Sequence, residues 1–214
     1  LYLEYPDKTV NPIDWKDIWM DKYNDFYETF YSYNIQLKDV ENFRYAMEVL
    51  VAVRNIPYIH VNNFLLVSTL EGLLFLKSIK KKLSLPSGGK KGTVAKIFVE
   101  ISEDNNEYWQ WIFQRRYSLS KPLKSFTTKQ DLEEFVKSSF NYRNNIAHPE
   151  MRNPVQLKPK YLIPPRSNES EESILERLIL QVFPSFIMFL TRVWVNKKLK
   201  SRSEWESYLE TLFP

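Results

Sequence analysis

Apolar positions recur along this chain at helical spacing almost from end to end. Residues 14 to 33 carry Trp15, Trp19, Tyr23, Phe26, Phe30 and Tyr33 at steps of three and four, which predicts one aromatic stripe on a helix. Asp39 has the side chain of an N-cap. Phe43, Ala46, Met47, Leu50 and Val51 then predict a second helix to about Arg54, interrupted by Pro57. A third helix is expected from about Tyr58 to Leu83. Its centre, Phe64 to Leu76, is apolar nearly all round, the pattern of a buried central helix.

The Pro86-Ser87-Gly88-Gly89 loop separates it from a shorter helix around Thr93 to Ile101 and an aromatic-rich piece from Tyr108 to Tyr117, broken at Lys121-Pro122. Leu132, Phe135, Val136, Phe140 and Ala147 predict the inward face of a helix from Lys129 to His148. Pro149, Pro154, Pro159, Pro164 and Pro165 predict an extended connection over residues 149 to 169. A long helix from about Ser170 to Lys198 follows, with Pro184 as the place for a kink, and then a short one from Ser203 to Leu212. No stretch alternates as a strand, so the fold class expected is all-α, a helical bundle. Residues 1–38 read as an N-terminal aromatic-rich helical extension, 39–200 as the main helical domain and 201–214 as a C-terminal helix.

Composition narrows the chemistry. The chain has no cysteine, which excludes disulfides and cysteine-based zinc, iron–sulfur or nucleophile arrangements. With 2 histidines, little is left for a histidine metal site, so no metal and no cofactor are expected. Leu1-Tyr2-Leu3-Glu4 lacks the start of a secretory signal. The most apolar stretch, Leu178 to Val195, contains Gln181, Pro184, Ser185, Thr191 and Arg192, as a core helix does and a membrane span does not. A cytoplasmic protein with no membrane partner is the expectation. Net charge is +4 but uneven: residues 77–129 hold 12 Lys and Arg against 4 Asp and Glu. A basic middle suits a polyanionic partner, although charge alone favours a solvated surface with charges scattered over several faces.

The segment that carries chemistry is Phe140-Asn141-Tyr142-Arg143-Asn144-Asn145-Ile146-Ala147-His148-Pro149. Asn141, Asn144 and His148 fall on one side of the helix at steps of three and four. Arg143 sits at the edge of the apolar stripe, where its stem packs and its guanidinium reaches out. Pro149 disfavours helical backbone at His148, which places the imidazole at the helix C-terminus, where the dipole favours the imidazolium. Glu71 lies in the most apolar helix, where an unpaired carboxylate is costly. An ion pair with Arg143 is one reading, a narrow exposed strip the other.

This motif, with Leu70-Glu71-Gly72-Leu73-Leu74 in an apolar helix and the order of two helices, an insert, the motif helix and a last long helix, resembles the HEPN superfamily, in the flavour of its Apea-like domains. The resemblance covers roughly residues 39 to 200. It implies an up-and-down helical bundle and a metal-independent endoribonuclease with an Arg-Asn-x-x-x-His motif. In that reading Arg143, Asn144 and His148 are catalytic, supported by Glu71, Asn141 and Tyr142. His148 assists attack of a ribose 2′-OH on the adjacent phosphate, Arg143 binds that phosphate, and Asn144 orients the phosphate or the histidine. The resemblance further implies an RNA substrate, a homodimer or a second HEPN unit to complete the site, a regulatory protein partner, and a role in prokaryotic defence or as a toxin. A catalytically silent module that binds nucleic acid, a nucleotide or a partner protein within a larger assembly is the alternative.

Lys80, Lys81, Lys82, Lys90, Lys91, Arg115 and Arg116 are the candidate RNA contacts. Other signals are weaker. Arg54-Asn55-Ile56-Pro57-Tyr58-Ile59-His60 repeats the residue types of the main motif, but Pro57 breaks the helix between them. Ser87-Gly88-Gly89-Lys90-Lys91-Gly92-Thr93 lacks the glycine spacing of a phosphate loop. The aromatics of Trp109 to Tyr117 read as core and rim rather than as a base-stacking surface, and Glu169, Glu171 and Glu172 as first-turn acids.

Overall fold

The computed structural model describes residues 41–85, 89–104, 129–151 and 170–214. They form seven α-helices and no strand: α1 Glu41–Asn55, α2 Ile59–Leu74, α3 Lys77–Lys82, α4 Lys90–Asp104, α5 Lys129–Ala147, α6 Glu171–Asn196 and α7 Arg202–Thr211, with a 3-10 turn at Pro149–Met151. The aromatic stripe of residues 14–33, Asp39, the Tyr108–Tyr117 piece and most of the proline-rich connection lie outside the described residues.

The protein is an all-α bundle around α2, which packs against α1, α4, α5 and α6. The all-round apolarity of its sequence has this cause: Leu66, Val67, Leu70, Leu73 and Leu74 are at most 1% exposed. Aromatic side chains fill the rest of the core. Phe98 of α4 stacks on Phe186 of α6, Phe43 of α1 stacks on Trp194, and Trp205 of α7 meets Phe43 edge-on. Trp205 and Leu209 are fully buried, so the C-terminal helix shares this core. Among the described residues α6 alone is long and apolar enough to cross a membrane, and 71% of its apolar window is buried inside the bundle.

Local chemistry sets the helix ends. Ser170 caps α6 by accepting from Ser173 N, and Ser201 caps α7 by accepting from Glu204 N while the Glu204 carboxylate accepts from Lys200 N. α3 and α6 end in the same device. After α3, Ser84 takes a left-handed backbone, Leu85 N donates to Lys80 O and Ser84 N to Lys81 O. After α6, Lys198 is left-handed, with Leu199 N donating to Trp194 O and Lys198 N to Val195 O. Both are Schellman ends without glycine.

Two expectations are corrected. The continuous helix from Tyr58 to Leu83 is two helices, because Phe75 and Leu76 are extended. Neither residue at the break is a proline or glycine, although Gly72 stands in the turn before it. Side chains distant in sequence accept it: Arg202 Nη1 donates to Gly72 O and Trp205 Nε1 to Leu73 O, each at 2.8 Å. Ala147 was expected to face inward but is exposed at the last position of α5; the half-buried Ile146 packs against the core there instead. The remaining inward positions of α5, Leu132, Phe135, Val136 and Phe140, are buried. α6 runs on through Pro184 as a single helix.

Candidate anion-binding and catalytic site

Arg143 leaves α5 near the apolar stripe with its guanidinium 5.2 Å from the centre of the Phe140 ring, and its side chain is 18% exposed. Its Nη1 donates to Glu71 Oε2 at 2.8 Å. The second oxygen of Glu71 accepts from Lys90 at 2.8 Å. One carboxylate on α2 therefore clamps a cation from α5 and another from the start of α4. Burial pushes the Glu71 carboxyl up, but its hydrogen bonds to Lys90 and Arg143 and their charges outweigh this and hold it below the usual carboxylate range.

Around this clamp opens a cavity of about 910 Å³. Lys77, Lys80 and Lys81 of α3, Lys90 and Lys91 of α4, and Asn141, Arg143 and Asn144 of α5 line it, over the apolar side chains of Phe75, Leu85 and Phe140. Lys91 donates to Asn141 Oδ1 at 2.8 Å. The break in α2 has a direct consequence here. It frees α3 to take its own direction, and three of its lysines reach the cavity that Arg143 also lines. Lys77, from the same run of lysines in the sequence as Lys80 and Lys81, lines the wall with them.

The predicted residues do not all converge. Arg143, Asn144, Asn141 and Glu71 meet at the cavity, as do Lys80, Lys81, Lys90 and Lys91. Lys82 does not; its ammonium donates to the carbonyl of Phe213. Arg115 and Arg116 lie outside the described residues. His148 directly follows α5, its N–H bonded to Asn144 O at 2.8 Å. Its ring is 58% exposed, with Nδ1 3.6 Å from Glu150, and it is not part of the cavity lining.

Comparison with protein-family models, with curated proteins and with solved structures finds no match.

Tyr142 points elsewhere. It is fully buried and its hydroxyl donates to Glu176 of α6, while His60 Nδ1 of α2 lies 2.6 Å from that hydroxyl and 3.0 Å from the same carboxylate oxygen. Burial, then the Glu176 carboxylate, push the Tyr142 hydroxyl far above the ordinary tyrosine range. Tyr142 thus ties three helices together on a side of α5 distinct from the cavity. His60, set aside in the sequence because of Pro57, is the histidine held by a buried carboxylate. Glu176 gave no signal in the sequence beyond an acidic residue in an apolar helix. Among the described residues no group of three His, Asp or Glu side chains gathers as a metal site.

Proposed function

We propose that this chain is an RNA-cleaving domain of the HEPN kind, acting at the cavity where Glu71 holds Arg143. The observation that carries the reading is that clamp: a guanidinium fixed by a half-buried carboxylate, facing a cavity lined by lysines, beside Asn144 and one helical turn from an exposed imidazole. In this mechanism Arg143 and the lysines draw in a backbone phosphate. The 2′-oxygen attacks phosphorus and the bond to the 5′-oxygen breaks. The proton leaves the 2′-hydroxyl for an imidazole and returns to the departing 5′-oxygen, leaving a 2′,3′-cyclic phosphate. His148 is the imidazole of the motif, and its position beyond the cavity lining makes a second motif helix, from another copy, the natural complement of the site. A role in prokaryotic defence or as a toxin is what the family resemblance suggests for such an activity.

The second reading is a silent module that binds nucleic acid without cutting it. It is favoured by the placement of His148 outside the cavity, near Glu150. Incubation of the purified chain with RNA in EDTA separates the two. The cleaving reading expects products ending in a cyclic phosphate, abolished by Arg143→Ala and by His148→Ala. RNA retained intact by all three proteins would overturn it and leave the binding module.

A further inference from the structure

The lining of the cavity carries more positive charge than one phosphodiester requires. Among the described residues, six cationic side chains, Lys77, Lys80, Lys81, Lys90, Lys91 and Arg143, face a single carboxylate, Glu71, and leave a net +5. Glu71 is already committed to Lys90 and Arg143. No carboxylate among the described residues pairs with Lys77, Lys80 or Lys81, so nothing in the described structure balances the α3 wall. The first turn of the 15-residue helix α4 contributes Lys90 and Lys91, with no acidic side chain to offset its own positive end. These charges converge on a concavity rather than spreading along a stripe.

Among the described residues the lining also lacks what a base would need: its two aromatics there are Phe140, 1% exposed, and Phe75, whose ring lies 5.4 Å from the Lys90 ammonium. Unpaired bases bind on open aromatic faces. Phe140 is buried and Lys90 sits over the Phe75 ring, so the described lining presents charge rather than a stacking face. An RNA backbone brings about one charge per nucleotide, whereas a terminal phosphate alone brings about two, and each phosphate linked behind it adds another.

We infer that this cavity is a socket for a run of consecutive phosphates. The same chemistry is presented by a free nucleoside polyphosphate and by the 5′-triphosphate end of an RNA. The inference shares Arg143 with the proposed cleavage site but does not require cleavage.

Calorimetric titration of the chain carrying His148→Ala tests it without turnover. The ligands are orthophosphate, inorganic tripolyphosphate, a nucleoside triphosphate, and one short RNA with either a 5′-triphosphate or a 5′-hydroxyl. Tripolyphosphate is expected to bind about 100-fold more tightly than orthophosphate. Lys80→Glu and Lys81→Glu, both at solvent-reachable positions, are each expected to weaken it about 10-fold or more, while Arg44→Ala on α1 leaves it unchanged. Equal affinity for orthophosphate and tripolyphosphate, or equal effects of the three substitutions, overturns the socket. A 5′-triphosphate RNA that outcompetes the nucleoside triphosphate identifies an RNA end as the source; equal affinities identify the free polyphosphate. Because only binding is read, the socket and the ribonuclease activity stand or fall separately.

Discussion

Trp205 Nε1 donates to the carbonyl oxygen of Leu73 at 2.8 Å, so a side chain on the C-terminal helix satisfies a backbone group at the end of α2. The indole is fully buried, and its partner is one of the carbonyls released where α2 stops. Trp205→Phe keeps an aromatic ring but leaves Leu73 O unpaired in the core. The expected cost is about 1–3 kcal/mol. Urea unfolding followed by far-UV circular dichroism measures it; an unchanged midpoint would show that the α2 break does not depend on the indole.

Acid should destabilise this fold in a defined window. Glu71 bridges Lys90 and Arg143, and Glu133 bridges Lys96 and Lys137. Burial raises both carboxyls, and in both the paired cations win and hold the group below its ordinary value of 4.5. A carboxyl lowered by folding contributes stability above its unfolded value and loses it as pH falls through the folded one. Stability should therefore hold steady down to the ordinary carboxylate range and decline below it. Glu71→Gln should flatten part of that decline and lower stability at neutral pH by about 2 kcal/mol, since Arg143 loses a charge-assisted hydrogen bond. Unfolding midpoints at a series of pH values for both proteins test the sign. A mutant with the parent's full acid sensitivity would remove Glu71 from the account.

Two left-handed residues are candidates for stabilisation. Ser84 and Lys198 have φ of 50° and 54° at the Schellman ends of α3 and α6. A side chain at such a position costs roughly 1 kcal/mol that glycine avoids. Ser84→Gly and Lys198→Gly should each raise stability by about 0.5–1 kcal/mol. Thermal unfolding of the single and double variants gives the answer, with additivity expected because the sites close different helices. A fall in melting temperature for both would mean that the side chains contribute contacts outweighing the backbone strain.

The helices were legible because their signals are local. Period 3.6 in Leu132, Phe135, Val136 and Phe140 marks the buried face of α5, and the all-round apolarity of residues 64–76 marks the central helix. The break at Phe75-Leu76 was not legible. It is met by Arg202 and Trp205, about 130 residues away in the chain, and Gly72 in the turn before it is too weak a signal alone to end a helix. The same reasoning divides the site. The cost of a bare carboxylate in an apolar helix made the pairing of Glu71 with Arg143 one of two readings, and the structure has the pair. The place of Lys77 on the cavity wall, and the departure of Lys82 to Phe213, depend on a helix direction that only tertiary contacts set. His60 was discounted for a sound local reason, yet Tyr142 and Glu176 reach it from other helices.

The short helix α3 is gripped at both ends by the tail of the chain. Arg202 and Trp205 hold the backbone just before it, and Phe213 receives the ammonium of Lys82 at its far end. Its remaining lysines form one wall of the cavity. The placement of that wall is therefore set in part by residues 202–213, which lie more than a hundred positions away along the chain.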